Sequence, residues 1–193
     1  MLILNDRIRR AQDFATAAHQ AQRRKYSGRP YIEHPLAVAL MVSRFDHDED
    51  MIVAALLHDT VEDTLVILDD VTQAFGYEVA TLVSELTDVS RPSDGNRKAR
   101  KHIDLLHIAM AQPRAKTIKL MDLVHNSVSI VRHDPSFARV FLDEMTLMLD
   151  VLQGPSDPRA WELAQQVYVR ARNRVHLSTA LGLPAGFLRV ATP

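Results

Sequence analysis

The sequence of 193 residues contains no cysteine. This absence excludes disulfides, thiolate metal sites and cysteine nucleophiles, and it leaves histidine and carboxylate side chains as the strong metal ligands. Glycine is also scarce, with 6 residues, and no run of alternating β-branched residues is present. Apolar residues instead recur at spacings of three and four along almost the whole chain, which predicts an all-α fold.

Long apolar runs are also missing, since none approaches the roughly 20 residues that a membrane-spanning helix needs. The first residues lack the charged-then-apolar layout of a signal peptide. We therefore expect a cytoplasmic protein with no membrane partner. The 23 basic and 24 acidic residues give a formal net charge of −1, so no overall charge attracts nucleic acid, and phosphate binding must depend on local clusters.

Nine helical segments are predicted from the apolar periodicity and from the prolines that separate them. No linker-like stretch divides the chain, so we expect a single domain over 1–175, a helical bundle of about eight to ten helices, followed by a C-terminal tail over 176–193. The predicted helices span 5–25, 35–44, 48–63, 67–74, 76–88, 97–112, 114–133, 136–153 and 158–173.

The most informative motif is His-Asp-Thr-Val-Glu-Asp-Thr over 58–64, which follows the apolar run over 52–57. On an ideal helix at about 100° per residue, one face carries His58, Asp59, Glu62 and Asp63. A solvated helix face is the ordinary explanation for such a cluster. The preceding apolar run favours burial instead, and buried carboxylates must be paired or bind a cation. The motif therefore indicates a divalent-metal site.

Two further motifs carry compatible groups. His34 stands at the start of a predicted helix, where a lone histidine is more often a capping or packing residue. Asp122 and Asn126 are spaced i, i+4, and Lys119 lies one turn earlier. An amphipathic helix with a local Lys119–Asp122 pair is the ordinary explanation there. The other histidines, among them His125, have no comparable carboxylates, and we expect them to be structural or surface residues.

Two basic clusters complete the set of candidates. One, over 23–25, includes Arg24 and Lys25, and the other, over 91–101, includes Lys98 and Arg100. Charged loops are usually just solvated. Beside a metal site, however, guanidinium and ammonium groups would neutralise the charge of a phosphoester substrate and of its transition state.

Taken in chain order, His34, His58-Asp59 and Asp122 resemble the pattern of the HD phosphohydrolase superfamily. The flanking residues sharpen the resemblance, because Pro-Tyr-Ile over 30–32, the motif over 58–64 and Lys-Leu-x-Asp-x-x-x-Asn over 119–126 are similar to the hydrolase domain of RelA/SpoT-type enzymes. The similarity covers about 5–153. Little chain remains for the synthetase and regulatory domains of the long relatives, so we expect a protein similar to the small stand-alone alarmone hydrolases.

The resemblance implies an all-α HD domain that uses a manganese-type divalent ion to remove the 3′-pyrophosphate of guanosine tetra- or pentaphosphate, (p)ppGpp, giving GDP or GTP. The implied metal ligands are His34, His58, Asp59 and Asp122. The residues implied to hold and activate the water are Glu62 and Asp63. The expected substrate contacts are Arg24, Lys25, Asn126, Lys98 and Arg100. A mixed set of nitrogen and oxygen ligands suits manganese, iron, cobalt, nickel or zinc.

Two other functions stay open on the sequence. One is a phosphohydrolase of the same superfamily that acts on NADPH or another nucleotide. The other is a non-catalytic nucleotide sensor. A sensor would not need all six of the implied metal-binding and catalytic side chains, which are His34, His58, Asp59, Glu62, Asp63 and Asp122. The sequence predicts a small-molecule nucleotide as the substrate and neither nucleic acid nor a membrane as a partner, and it leaves open whether the chain forms a homo-oligomer or binds another protein.

Overall fold

The computed structural model describes residues 5–180, and within this range it contains ten α-helices, one short 3-10 helix over Pro92–Asp94 and no β-strand. The α-helices are α1 Asp6–Ala18, α2 Glu33–Val42, α3 Glu49–Leu57, α4 Thr60–Asp63, α5 Leu68–Phe75, α6 Tyr77–Leu86, α7 Arg97–Ala109, α8 Pro113–His133, α9 Pro135–Val151 and α10 Pro158–Ala180. The predicted all-α class is confirmed.

The helix starts follow ordinary capping chemistry. Side-chain oxygens accept hydrogen bonds from first-turn amides at four of the starts, those of Asn5, Asp48, Asn96 and Asp134. The first helical position is proline in three long helices, at Pro113, Pro135 and Pro158. Proline is tolerated there because the amide that it lacks would have no partner within the helix.

The centre of the fold is α3. Its residues from Met51 to Leu57 are all buried, and the helix packs against α1, α2, α6 and α8. A helix that is apolar on every side must be surrounded by other elements. The long helix α8 packs in turn on α2, α6, α9 and α10. Because α3 is central, the polar residues that follow it, starting with His58, lie inside the molecule.

The first helix ends at Ala18, so the prediction that it extends to residue 25 is wrong. The following loop, 19–32, folds back on itself, and the Arg24 amide donates to the Arg29 carbonyl across it at 2.9 Å. Gly28 has a φ of 68°, a backbone conformation that favours glycine. The loop forms because its backbone groups are satisfied by one another instead of by a continued helix.

The helix predicted over 48–63 is two helices. α3 ends at Leu57, whose carbonyl accepts a hydrogen bond from the Thr60 hydroxyl at 2.7 Å. The His58 ring also bonds back, from Nδ1 to the Ala55 carbonyl at 2.9 Å. These side chains satisfy carbonyls that a continuing helix would otherwise use, so the chain turns before α4 begins. The four polar groups therefore lie along a broken helix and not on the single continuous helix that was predicted.

The other predicted helix ends agree within a few residues, except at the carboxyl end. α10 continues to Ala180, beyond the predicted end at 173, so the region predicted as a tail over 176–193 begins inside a helix. Residues 181–193 lie outside the described residues, and the division into a domain and a tail stays a prediction. Every helix of the described part is too short or too polar to traverse a bilayer.

Candidate functional site

Four polar side chains from three parts of the chain converge beside the core. His34 comes from the first turn of α2, His58 and Asp59 from the turn between α3 and α4, and Asp122 from the middle of α8. The measured separations are 3.4 Å from His34 Nε2 to Asp59 Oδ2, 3.2 Å from His34 Nε2 to Asp122 Oδ1, 3.2 Å from His58 Nε2 to Asp59 Oδ1 and 3.9 Å from His58 Nε2 to Asp122 Oδ1. The structure thus brings the four predicted ligands together.

The arrangement fits a divalent metal ion. Nitrogen and oxygen ligands bind such ions at about 2.0–2.2 Å, which places neighbouring ligand atoms about 3 Å apart. The donor atoms of His34, His58 and Asp59 all lie within 4.8 Å of one another. The buried Nε2 of His58 makes no well-directed hydrogen bond among the described residues, although Asp59 Oδ1 lies 3.2 Å away, and a cation bound by both atoms would satisfy this nitrogen.

Neighbouring groups hold the two carboxylates in place. The Tyr31 hydroxyl donates to Asp59 Oδ2 at 2.7 Å, and the Asn126 amide donates to Asp122 Oδ1 at 2.6 Å. The ammonium of Lys119 lies 3.4 Å from Asp122 Oδ2. Such outer contacts orient metal ligands and restrict their rotation.

The two imidazoles also have a contact at the nitrogen that faces away from the cluster. His58 Nδ1 bonds to the Ala55 carbonyl, which leaves Nε2 directed at the carboxylates. His34 Nδ1 lies 2.7 Å from His125 Nδ1. The expectation that His125 is an ordinary structural or surface residue is therefore wrong, because it contacts a candidate metal ligand directly.

Opposite charges within the cluster shift the pKa values of its members. Burial opposes the charging of His58, but the carboxylates of Asp59 and Asp122 outweigh it and raise the pKa of His58 to about 9. Burial likewise opposes ionisation of the carboxyl groups, yet His58 holds the pKa of Asp59 well below its usual range, as Lys119 does for Asp122. A metal ion would replace the imidazole proton, since a ligand imidazole must be neutral.

The short helix α4 places Glu62 and Asp63 beside the cluster. Both side chains face solvent in part. Desolvation and the nearby Asp88 carboxylate raise the pKa of Glu62 to about 6, although Glu62 Oε2 also accepts the Asp88 amide at 3.1 Å. Desolvation and the charge of Asp59 raise the pKa of Asp63. A carboxyl group that titrates near neutral pH is suited to accepting a proton.

A cleft with two adjoining cavities opens from the cluster. The inner cavity has a volume of about 250 Å³, and its polar walls include Asp59, Glu62, Asp63, Lys119, Asp122 and Asn126. The outer cavity has a volume of about 420 Å³, and its walls include Glu62, Asp88, Arg97, Arg100 and Lys101. Arg97 and Lys101 line both cavities. The cluster of two histidines and two aspartates therefore lies at one end of a cleft that is lined by carboxylates and, on α7, by the basic side chains of Arg97, Arg100 and Lys101, which we call the cationic wall.

Two of these cations have acidic partners. Arg97 binds Glu144 through two hydrogen bonds of 2.8 Å, and Lys101 lies 2.5 Å from Asp88 Oδ2. Arg100 differs, because its Nε is buried and has no hydrogen-bond partner within the described range. Of the three, Arg100 is thus the one for which no ion pair is found among the described residues.

The structure separates the predicted substrate contacts. Arg24 reaches the edge of the metal cluster and donates to Asn126 Oδ1 at 3.0 Å. Lys25 lies 3.3 Å from Asp134 instead. Lys98 lines neither cavity of the cleft. It lines an apolar groove between α7 and α9 that adjoins the inner cavity, since Arg97 and Lys101 line both.

Several cleft residues were not assigned from the sequence. Tyr31 lies three positions before His34, and its hydroxyl reaches Asp59 only because the loop over 19–32 turns back. Arg97 and Lys101 were noted only as members of a basic cluster, although their i, i+4 spacing indicated a shared helix face. Lys119 was considered a local partner of Asp122, and it also lines the inner cavity.

Comparisons with known proteins show the family of the chain. The model of the HD domain family matches residues 11–147. The chain is 41% identical over 128 residues to human guanosine-3′,5′-bis(diphosphate) 3′-pyrophosphohydrolase MESH1, covering 65% of this chain and 70% of that protein. It is 38% identical over 121 residues to the guanosine-3′,5′-bis(diphosphate) 3′-pyrophosphohydrolase of Aquifex aeolicus (strain VF5), covering 63% of this chain and 17% of that protein.

A solved structure is similar across most of the chain. It is described as a metazoan ortholog of SpoT that hydrolyzes ppGpp and plays a role in starvation responses. The TM-score is 0.76 at 28% identity, and the match covers 89% of this chain and 98% of the other. By contrast, the chain spans only 17% of the Aquifex protein, so similarity to the long relatives is confined to one part of them.

Proposed function

Since this chain belongs to the HD-domain family, we propose that it is a metal-dependent phosphohydrolase that removes the 3′-pyrophosphate of (p)ppGpp and gives GDP or GTP with pyrophosphate. The observation that supports this most is the convergence of two imidazoles and two carboxylates at the end of a cleft that also carries basic side chains. The names of the human and Aquifex relatives give the substrate.

The proposed metal ligands are His34, His58, Asp59 and Asp122, and the proposed ion is Mn²⁺. Carboxylates favour manganese among the divalent ions that a nitrogen and oxygen site accepts. When bound, the ion would lower the pKa of a water molecule and polarise the phosphoryl group. The neighbouring contacts of the ligands keep the four donor atoms pointed at one place.

Glu62 is the proposed proton acceptor. Its pKa of about 6 leaves it mostly ionised at neutral pH and still basic enough to take a proton from an attacking water. The hydrogen bond from the Asp88 amide fixes one carboxylate oxygen, so the other is available in the cleft. Asp63 follows on the same short helix, and we assign it the ordering of the same water.

The cationic wall is proposed to bind the phosphates. A substrate with two diphosphate groups carries several negative charges, and guanidinium groups match phosphate oxygens in geometry and charge. Arg100 lines the outer cavity, and no ion pair to a carboxylate occupies its guanidinium within the described residues. Arg24 and Asn126 lie at the other edge of the metal cluster, where they would contact the nucleoside side of the substrate. Lys25 lies farther out, beside Asp134.

The test is a product analysis with and without metal. Metal-stripped protein is incubated with ppGpp in the presence or absence of Mn²⁺, and the products are separated by chromatography. We expect GDP and pyrophosphate only with Mn²⁺, and none with Asp59→Asn. A matched control is Asp69→Asn, which changes an exposed aspartate on α5 and should not alter turnover.

The same experiment separates the alternatives. NADPH and nucleoside mono- and triphosphates are assayed in parallel. Intact ppGpp beside a hydrolysed rival would keep the metal site and assign the function to that rival. No hydrolysis of any nucleotide by protein that has bound Mn²⁺ would favour a non-catalytic nucleotide sensor.

A further inference from the structure

His125 makes a contact that none of the roles proposed above requires. It lies on α8 one turn after Asp122, and its Nδ1 is 2.7 Å from Nδ1 of His34. The ring centroids are 4.9 Å apart and the interplanar angle is 28°, so the two rings meet nearly edge to edge through these nitrogens. The contact joins residues 91 positions apart in the chain, so it is produced by the packing of α2 on α8.

If His34 is a metal ligand, only one of the two histidines can donate the hydrogen bond between them. His34 Nε2 faces Asp59 and Asp122, and a ligand nitrogen must offer a lone pair. The ring proton of a neutral His34 must then be on Nδ1. Two nitrogens 2.7 Å apart must be one donor and one acceptor. His34 Nδ1–H is then the donor, and His125 Nδ1 is the acceptor.

The surroundings of His34 make this acceptor important. The His34 side chain is 1% exposed, so water cannot replace a lost partner at Nδ1. A buried N–H without a partner is unfavourable, and the ring could avoid it by placing its proton on Nε2. That tautomer would direct an N–H at the position where the cation belongs.

We propose that His125 is a positioning residue, which accepts the His34 Nδ1 hydrogen bond and thereby keeps Nε2 free to bind the metal. The other imidazole ligand, His58, has a backbone carbonyl in this role, and no side-chain substitution can remove it. The site therefore has one imidazole fixed by the main chain and one fixed by a replaceable side chain. This inference rests on the proposed ligand role of His34.

The first experiment measures Mn²⁺ binding by calorimetry in two variants. His125→Phe removes the acceptor and keeps a planar ring, whereas His125→Asn places an amide oxygen close to the position of Nδ1. Loss of an outer contact of this kind typically weakens metal binding by about 10- to 100-fold, which we expect for His125→Phe. His125→Asn should recover most of the affinity. His176→Phe, an exposed histidine on α10, controls for loss of any imidazole.

Two outcomes would overturn the inference. One is unchanged Mn²⁺ affinity in His125→Phe, and the other is equal weakening in the Phe and Asn variants, since an acceptor would then not be the cause. His34→Gln, measured in the same way, separates the two proposals. Unchanged affinity in His34→Gln would contradict the ligand assignment itself, whereas a loss there without a loss in His125→Phe would contradict only the role of His125.

A second measurement does not depend on the folding of any variant. Nitrogen-15 NMR of the wild-type protein loaded with diamagnetic Zn²⁺ reports which ring nitrogen carries the proton. We expect a protonated Nδ1 on His34 and an unprotonated Nδ1 on His125. The reverse assignment would overturn the inference even if His125→Phe failed to fold.

Discussion

The cluster of candidate metal ligands and the cationic wall of the cleft differ in how their side chains are held. At the cluster, the His34 and His58 side chains are 1% and 2% exposed, and each ligand has a further contact that holds it. At the wall, the Arg97 and Lys101 side chains are 48% and 40% exposed and form ion pairs with Glu144 and Asp88. The first region is organised before a ligand arrives, whereas the second must exchange partners to bind a phosphate.

This difference predicts two kinds of response to mutation. A buried, closely connected ligand set loses its function when one member is removed, because the remaining groups cannot rearrange in a packed interior. Partly exposed ion pairs are worth little individually and are screened by water and salt. We therefore expect abrupt losses at the cluster and graded losses along the wall.

The largest effect is expected for Asp59→Asn. The amide would keep the shape of the side chain and remove the charge that a divalent ion needs. We expect Mn²⁺ binding to be lost by calorimetry and hydrolysis to fall to background. The Asp69→Asn control should behave like the wild type. An Asp59→Asn protein that still binds Mn²⁺ tightly would show that this aspartate is not a ligand.

The next effect separates metal binding from proton transfer. Glu62→Gln retains an oxygen that can accept the Asp88 amide, but it cannot take a proton. We expect Mn²⁺ affinity to be kept and turnover to decrease by about 10²- to 10⁴-fold, the usual contribution of a general base. Full activity in Glu62→Gln would refute the assignment of this residue, and loss of the metal would make it part of the cluster instead.

The fold class and the cluster were accessible from sequence for a physical reason. Buried imidazoles and carboxylates need partners, so the motif over 58–64 after an apolar run already indicated a cation. The chain order of His34, His58-Asp59 and Asp122 then matched a known superfamily. The structure brings these residues within contact distance of one another, as that reasoning expected.

The contacts that depend on tertiary packing were not accessible. The break after Leu57 results from the side chains of His58 and Thr60, which bond to carbonyls of α3. The spacing of apolar residues carries no information about such hydrogen bonds. The contact of His125 with His34 depends on the packing of α2 on α8. Lys98 was predicted to contact the substrate with its basic neighbours, but its side chain lines the groove that adjoins the cleft and not the cleft itself.

The dependence of turnover on pH should be smaller than the effect of removing Glu62. A base must be ionised to accept a proton, and the pKa of Glu62 is raised to about 6. With the metal kept saturating, turnover should rise as the pH increases through about 6 and level off above it. It should therefore be about tenfold lower at about pH 5 than on that plateau.

The pH profile has a matched control in Glu62→Gln. Its residual turnover should lose the step near pH 6, because the titrating group is gone. A step that persists in this variant would assign the pH dependence to another group. Metal affinity is measured at each pH, because a proton on His58 competes with the ion and the pKa of that residue is about 9. Affinity should therefore weaken as the pH falls.

The smallest effects are expected at the wall, where Arg100 and Lys98 form a matched pair. Both are basic residues of α7, but Arg100 lines the outer cavity and Lys98 lines the groove between α7 and α9. Arg100→Ala should raise KM about five- to tenfold, since it removes a charged hydrogen-bond donor from a partly exposed position. Lys98→Ala should leave KM within about twofold, as expected of a surface charge outside the cleft.

The dependence on ionic strength also tests the difference between the buried cluster and the partly exposed basic side chains of the cleft. Salt screens exposed charges but scarcely affects a buried ligand set. We therefore expect the KM of the wild type to rise with added salt, the rise to be smaller in Arg100→Ala, and Mn²⁺ affinity to change little. If Lys98→Ala weakened substrate binding as much as Arg100→Ala, the phosphates would extend into the groove between α7 and α9. A single substrate would then occupy both the cleft and the groove between α7 and α9.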